Sequence, residues 1–583
     1  MVTMSFQNKN KSLFYFFISI GILLFINILS SFIYTKIDLT EDRRFTMNKA
    51  TDALLRSLKN DTSTFTIEIY LEGEFPSEFK HLKSAVIDLL TVFREKSGNL
   101  VDFRFYNPLQ GSDEERKDMQ TKLSKQGIMP LQIMDKRQAK LMLVFPSAII
   151  RYGNKFQVVQ LMELGDGYFQ PSDIDPSINF LEYKFAAAIQ KLKQKNRSRL
   201  VLLTGHGELA RPYTNELEKS LFEYYDIARL NLSDVNQIDS NIHLVIVQKP
   251  QSEFTPDDQF KIDQYIMNGG KLLWMVDGLQ MEDDSLRNKE GQAVPFESST
   301  DLQRFLFNYG VRLNYNLIAS YDAASILGLQ TSQGQKSNPK WFYYPLVYPF
   351  QTPIEAQSSG KSTIDHPIVK NIDFVLTKYA SSLDTVITKG QVLKTVLLRS
   401  SKYSRVQYPP TPISLQSIDP AIRADAFTKG NQNVAILLEG NFESYFRNRI
   451  PVEVANKWSQ IGNYPIRDKG NRSKMIVISD GEIGKNEVYP SSGKTVPIGA
   501  GYHPETGPRV FSNKEFIMNS VEYLLDETGL ISARSKEIKL RPLDQERAMQ
   551  EELKWQLINM GIPLLFVLIF GLFFYQWRKR KYK

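Results

Sequence analysis

Two uncharged apolar runs stand near the ends of the chain, and periodic mixtures of apolar and polar residues fill the interval between them. Ser12 to Thr35 carries no charge. As a helix rising about 1.5 Å per residue, it is long enough to cross a hydrocarbon core of roughly 30 Å. Leu557 to Trp577 has a similar reach, is apolar on all faces, and stops at Arg578, Lys579, Arg580, Lys581 and Lys583. The pattern predicts a transmembrane helix over 12–35 and another over 557–577. Gly561 and Pro563 are tolerated in such helices. Tyr34, Trp555, Tyr575 and Trp577 sit near the span ends, where amphipathic rings favour the lipid–water interface. The other reading of the first run is a cleaved signal peptide. The run exceeds the roughly 7–15 apolar residues such a peptide needs, and no A-x-A-like site follows it.

Lys36 to Gln556 reads as water-soluble. Phe65 to Leu71 alternates like a strand. Phe79 to Glu95 puts Leu82, Val86, Leu89, Leu90 and Phe93 on one side of a helix, and Val101 to Tyr106 alternates again. This is a β-α-β unit with parallel strands. A polar helix (Asp113 to Gln126) follows, then a hairpin of Lys140 to Tyr152 with Lys155 to Met162, turning at Gly153-Asn154. These elements predict a small α/β domain over 36–175. A helix from Ser177 to Lys195 opens a larger domain over 176–530. Its apolar runs, Leu200 to Leu203, Ile227 to Leu232, Leu244 to Gln248 and Lys271 to Val276, alternate with helices at Thr214 to Tyr225 and Pro256 to Met267. Val392 to Leu398, Val434 to Leu438 and Met475 to Ile478 extend the same sheet, and a helix from Asn513 to Leu525 closes the body. The expected fold class is α/β: a doubly wound, mostly parallel sheet preceded by a smaller α/β domain, flanked by one transmembrane helix at each terminus. A charged juxtamembrane segment, 531–556, joins the body to the second span. Polar Pro/Gly-rich stretches at 281–299, 330–339, 400–430, 451–474 and 485–508 exceed ordinary loops. They are either mobile or surfaces that meet partners.

Charge sharpens the topology. Of the net +8, Lys9, Lys11 and the five cations after Trp577 supply seven, which leaves the rest nearly neutral. The basic excess therefore argues for cytoplasmic termini with the body on the far side of the membrane. It gives the body no claim on nucleic acid. With no cysteine there is no disulfide framework, thiolate metal site or cysteine nucleophile.

Three apolar strands end in small polar groups: Thr204-Gly205-His206-Gly207-Glu208, Asp277-Gly278 and Ser479-Asp480-Gly481. A parallel sheet gathers such ends at its carboxyl edge, where ligands bind in α/β folds. Thr204, His206, Glu208, Asp277 and Asp480 are therefore the candidate ligand- or partner-binding residues. The plainer reading is that the glycines serve turns of positive φ and the polar groups cap helices. No catalytic residue, metal site or cofactor is assigned: H-E-x-x-H and G-x-S-x-G are absent. Gly493-Lys494-Thr495 lacks the upstream glycine of a phosphate loop, since Val488 stands there. Trp341-Phe342-Tyr343-Tyr344 with Tyr348 and Phe350 reads as packing under a loop, or else as a sugar or partner platform.

Asp38-Leu39-Thr40-Glu41 with Arg44-Phe45-Thr46, Leu203 to Glu208, Ala435 to Phe442 with Phe446, and Ile478 to Gly481 together resemble the auxiliary subunits of ABC transport systems. In layout and length the chain is most similar to the gliding-motility-associated members. The resemblance implies an inner-membrane complex with a multispanning permease and a cytoplasmic ATPase, linked to gliding motility. In it this chain would be a non-enzymatic subunit whose periplasmic body binds a substrate, such as a small molecule or glycan, or a partner. It transfers no catalytic residue. The alternative is an envelope enzyme acting on glycan or peptide at the His206/Glu208 edge.

Overall fold

The computed structural model describes residues 16–25, 46–61, 63–135, 140–162, 169–194, 196–286, 288, 290–327, 329–330, 336–349, 366–388, 390–415, 422–450, 458, 465–489, 493–535 and 551–581. The chain divides into a compact body, Thr46–Lys536, and the terminal segments outside it.

The first part of the body is built on a four-stranded sheet. Helix α1 (Lys49–Leu58) is capped by Asn48, whose side chain accepts from the Ala50 N–H. Strands β1 (Phe65–Ile69) and β2 (Val101–Phe105) are parallel, joined by helix α2 (Ser77–Lys96), as the alternation predicts. Helix α3 (Asp113–Lys125) starts in a capping box between Ser112 and Glu115. Strands β3 (Leu131–Asp135) and β4 (Lys140–Val144) form a hairpin of their own. The expected single strand over 140–152 is in fact two, because the chain breaks at Phe145-Pro146, where proline offers no ladder N–H. Strands β5 (Ser147–Tyr152) and β6 (Lys155–Gln160) make the predicted hairpin, and the sheet order is β2-β1-β5-β6. Helix α4 (Ile174–Lys193) starts three residues earlier than expected. It packs Leu181, Phe185 and Ile189 into the core with Leu55, Phe65, Phe79 and Leu90. The late residues Leu530, Ile531 and Ala533 join the same core.

A nine-stranded sheet organises the rest. Strands β7 (Arg199–Thr204), β8 (Asp226–Asn231), β9 (Ile242–Gln248) and β10 (Lys271–Met275) alternate with helices α5 (Arg211–Phe222) and α6 (Pro256–Met267). Helix α7 (Leu302–Tyr309) leads to β11 (Val311–Leu313). Strands β12 (Leu383–Thr385), β13 (Val392–Arg399), β14 (Asn433–Glu443) and β15 (Lys469–Ile478) follow, then helix α8 (Asn513–Leu525). The order is β11-β12-β14-β15-β10-β9-β7-β8, with β13 also on β14. Strands β15, β10, β9, β7 and β8 are mutually parallel, whereas every pairing among β11 to β15 is antiparallel. The expectation of a mostly parallel sheet is thus corrected to a mixed one. The runs at 392–398 and 434–438 join it as antiparallel ladders, which apolar content alone does not distinguish. Helices α5 and α8 cover one face, and α6 and α7 the other.

Much of the loop-rich sequence condenses into a lobe with a core of its own. Leu279, Leu317, Ala319, Trp341, Tyr344, Leu346, Ile413 and Phe427 are all buried there. The aromatic group at 341–344 packs rather than forming an exposed platform, and Phe350 lies outside the described residues. At the turn by Gly493, the Tyr489 N–H donates to the Lys494 carbonyl at 3.0 Å, across a bridge between Val488 and Thr495.

In the terminal segments, Phe16–Phe25 is an apolar helical stretch. The rest of the predicted first span lies outside the described residues. Helix α9 (Glu552–Lys581) contains the whole predicted second span, including Pro563. Over Lys554–Lys581 it is long and apolar enough to cross a membrane, with mean hydropathy 2.4 in its best window and none of that window buried.

Candidate functional site

The carboxyl edge of the parallel strands holds two adjacent polar clusters. The first forms after β7. Gly205 (φ 110°) and Gly207 (φ 77°) turn the backbone sharply, and a Cβ at Gly205 would stand 2.5 Å from Asn231 Oδ1. This turn folds His206 back over the strand end. Its N–H donates to Glu208 Oε2 at 2.7 Å, its Nδ1 lies 3.3 Å from Glu208 Oε1, and its Nε2 lies 3.4 Å from Asp258 Oδ2. The ring stacks on Phe254 with centroids 3.8 Å apart. Asp258 is delivered by the first turn of α6, where Thr255 is the N-cap and donates its hydroxyl to Asp258 Oδ2 at 2.6 Å. Burial alone would depress the His206 pKa. The Asp258 and Glu208 carboxylates outweigh it and raise the imidazole to about 9. Burial likewise opposes ionisation of Asp258, but its bonds to His206 and Thr255 hold it at about 2. His206 is therefore a buried imidazolium with both ring nitrogens engaged. Thr204 ends β7 opposite Asn231 and makes no side-chain hydrogen bond among the described residues.

The second cluster joins the ends of β9, β10 and β15 to the lobe. Lys249, 5% exposed, follows β9 with a left-handed backbone (φ 52°) and precedes Pro250. For a non-glycine residue that conformation costs about 1–3 kcal/mol and persists only where its surroundings enforce it. Its ammonium reaches Glu482 Oε1 at 2.5 Å and Glu282 Oε1 at 3.1 Å. Lys485 approaches the same Glu482 oxygen at 3.0 Å, and Lys378 lies 3.8 Å from Oε2 and 3.1 Å from Glu487. Burial works against the Glu482 charge, but Lys378, Lys249 and Lys485 overcome it and hold the carboxyl at about 2. Asp277 accepts the Gly481 N–H at 2.6 Å. Asp480 accepts the N–H groups of Lys378 at 2.9 Å and Glu482 at 2.7 Å. A Cβ at Gly481 would lie 2.7 Å from Lys249 Cβ and 2.9 Å from Asp277 Oδ2, so only glycine lets these groups converge. Burial pushes Asp277 up to about 6. It pushes Asp480 up to about 8, with the neighbouring Asp277 charge adding to the effect. Next to Lys249, both side-chain polar atoms of the buried Gln248 have no hydrogen-bond partner among the described residues.

The structure thus brings Asp277 together with Asp480, and His206 with Glu208. It brings neither pair into the other's hydrogen-bond network and leaves Thr204 aside. Lys249, Asp258, Lys378 and Glu482 escaped the sequence reading. One signal for Glu482 was present: Asp480-Gly481-Glu482 repeats the polar-Gly-Glu pattern of His206-Gly207-Glu208. Among the described residues, no group of three or more His, Asp and Glu could hold a metal ion. The second cluster can bolt the lobe to the sheet while offering Glu282 and Glu487 at its half-exposed rim.

The aspartate pair predicts a pH dependence. Folded, both groups titrate above the unfolded value of about 3.8, so the native state retains protons that the unfolded chain gives up. Their contribution is intact below that value and is lost as pH rises through about 6 and about 8. Between pH 5 and 6.5, stability is expected to fall with pH by up to about 1.4 kcal/mol per unit per retained proton. Asp277→Asn keeps an acceptor for Gly481 while removing the charge beside Asp480, so its slope in urea titrations should be shallower. An unchanged slope would show that Asp277 neither retains a proton of its own in the folded state nor raises Asp480.

Comparison with known proteins places this edge in a family. The family described as "ABC-type uncharacterized transport system" matches residues 197–520, which is more than half of the chain and includes both clusters. A domain of unknown function (DUF7088) matches residues 41–151. An uncharacterized protein of Borreliella burgdorferi (strain ATCC 35210 / DSM 4680 / CIP 102532 / B31) is 22% identical over 580 residues, covering 97% of each chain. Among solved structures, the mmIFT52 N-terminal domain is similar at 12% identity and a TM-score of 0.28, over 56% of this chain and 97% of that one. On the match over 197–520, the chain belongs to the ABC-type uncharacterized transport system family.

Proposed function

We propose that the protein is a non-enzymatic auxiliary subunit of an ABC-type membrane complex, anchored at both ends, whose body meets a substrate or the outer face of a partner. One observation carries the reading: the two ends of the body meet. The Asn48 side chain donates to Ser532 Oγ at 3.1 Å, and the Asn48 N–H donates to Glu182. A body that starts and finishes at one point suits a chain entering and leaving a single bilayer, with apolar segments on either side. The cationic flanks support cytoplasmic termini, hence a periplasmic body in the inner membrane. The engaged ring nitrogens of His206 favour a structural role over general-base catalysis, because an imidazolium near pH 7 has no lone pair to accept a proton. No phosphate loop is evident in the sequence, so the reading assigns ATP hydrolysis to a separate subunit and substrate passage to a multispanning permease. The link to gliding motility rests on resemblance of layout alone.

Affinity purification of the full chain in mild detergent tests this. The expected result is co-purification of a multispanning protein and an ATPase, both lost on high-detergent washing. Recovery of the bare chain under conditions that keep other membrane complexes intact would refute it.

A further inference from the structure

The opposite edge of the sheet, at the amino ends of the parallel strands, carries a feature that the auxiliary-subunit reading does not use. Strands β14 and β15 run past the start of β10. Only Met475–Ile478 of β15 pairs with β10, while Glu439, Gly440, Asn441 and Glu443 of β14 pair with the earlier residues of β15 as a projecting ribbon. Beside it, Phe307, Ile387 and Arg449 line an open cavity of about 470 Å³. Ile387 is 97% exposed and Phe307 50% exposed, a costly presentation of large apolar groups to water. Cations surround them. Arg447 is paired with Glu443 at 2.7 Å, whereas Arg449, Lys469 and Arg472 have no carboxylate partner among the described residues. The Arg449 guanidinium lies 5.5 Å from the Tyr445 ring centre. Glu439, which accepts the Tyr523 hydroxyl, Glu443 and Asp468 are the carboxylates of this ribbon, against Arg447, Arg449, Lys469, Arg472 and Lys474, so cations predominate.

Helix α8 ends on this same edge. Lys271, at the start of β10, bonds Glu527 at 2.8 Å, and Lys474 donates to the Tyr523 and Asp526 carbonyls at 3.1 Å. The helical turn at Leu530–Ser535 ends the described body, and α9 starts at Glu552. The chain that bears this edge also carries α9, so it meets a bilayer wherever α9 crosses one.

We propose that this edge is a lipid-docking face: Ile387 and Phe307 dip into the headgroup layer, and Arg449, Lys469 and Arg472 meet anionic phosphates. Apolar side chains next to long cationic ones suit an interface that is greasy below and negatively charged above. The proposal rests on α9 spanning the membrane, and its test separates the two. The native chain has no cysteine, so single labels can be placed freely. Full-length Ile387→Cys, Phe296→Cys and Leu565→Cys variants would carry an environment-sensitive fluorophore in nanodiscs with doxyl-lipid quenchers. The discs would hold phosphatidylcholine with or without phosphatidylglycerol. All three positions are exposed, so folding is undisturbed, and Phe296 sits in the lobe, away from this edge. Leu565 is expected to be quenched in every disc. Ile387 should be quenched chiefly with phosphatidylglycerol, and Phe296 not at all. Arg449→Gln with Arg472→Gln should weaken the phosphatidylglycerol response at Ile387 on the order of tenfold. An unquenched Ile387 beside a quenched Leu565 overturns the docking face. So does an Ile387 label shielded only when a partner protein is present, which would make the face a protein interface. Quenching indifferent to both lipid charge and the arginine substitutions overturns the anionic assignment, and an unquenched Leu565 removes the membrane anchor itself.

Discussion

Lys249→Met is expected to lower the stability of the body by about 3 kcal/mol at neutral pH, the lower end of the range for breaking a buried ion pair. Methionine keeps the stem's bulk, so the loss reports the charge. Lys249 is nearly inaccessible, and its ammonium bridges Glu482 of the sheet edge to Glu282 of the lobe. Without it, Asp277 loses the charge that most favours its ionised form. The cost stays at the lower end because Lys378 and Lys485 still face Glu482. Lys83→Met is the control. It removes an ion pair with Glu72 that is partly open to solvent, and such pairs contribute about 1 kcal/mol or less. Urea denaturation followed through the buried Trp274 and Trp341 distinguishes the two. A Lys249→Met loss no larger than that of Lys83→Met would mean the network stores no stability and the bolt between sheet and lobe is incidental.

The sheet was legible wherever burial imposed a continuous apolar run. Val245 to Val247, Leu272 to Met275 and Met475 to Ile478 are covered on both faces and read as strands without ambiguity. Helices α6 and α8 matched their predicted bounds, α6 because Thr255-Pro256 and Asn268-Gly269 mark its ends. The lobe was not legible. Its strands are two to eight residues long and pair across wide gaps, Gln292-Ala293 with Ile413-Ser414 and Leu317–Ser320 with Ser404–Gln407. Such pairings leave no period along the chain, and the segments read as loops.

The site divides along the same line. Residues at strand ends were visible because a parallel sheet sends them all to one edge. Their partners were not. Asp258 looks in sequence like any acid in a first helical turn, and Lys378 comes from the lobe, 129 positions after Lys249. Only the fold shows that His206, singled out as a candidate acid or base, already has both nitrogens engaged. The polar edge therefore reads as two fixed networks with a carboxylate rim.

His206→Gln is expected to cost about 3 kcal/mol at pH 6.5 and almost nothing at pH 9.5. The imidazolium sits between Glu208 and Asp258, whose side chains are 3% and 11% exposed, and glutamine removes that charge, leaving Asp258 with Lys261 at 3.6 Å. The histidine titrates near 6.5 in the unfolded chain and at about 9 in the folded one. Its contribution is therefore complete below pH 6.5 and fades by about 1.4 kcal/mol per unit until the folded pKa is passed. Above that point the wild-type ring is neutral as well, and the two proteins should converge. Asp258, held at about 2, stays ionised throughout this range and supplies no competing trend. Parallel urea titrations at pH 6.5, 8 and 9.5 measure the gap between variant and wild type. A gap that persists undiminished at pH 9.5 would mean that the ring acts by shape, through its stacking on Phe254, and that the charge between the two carboxylates is not what holds the turn after β7.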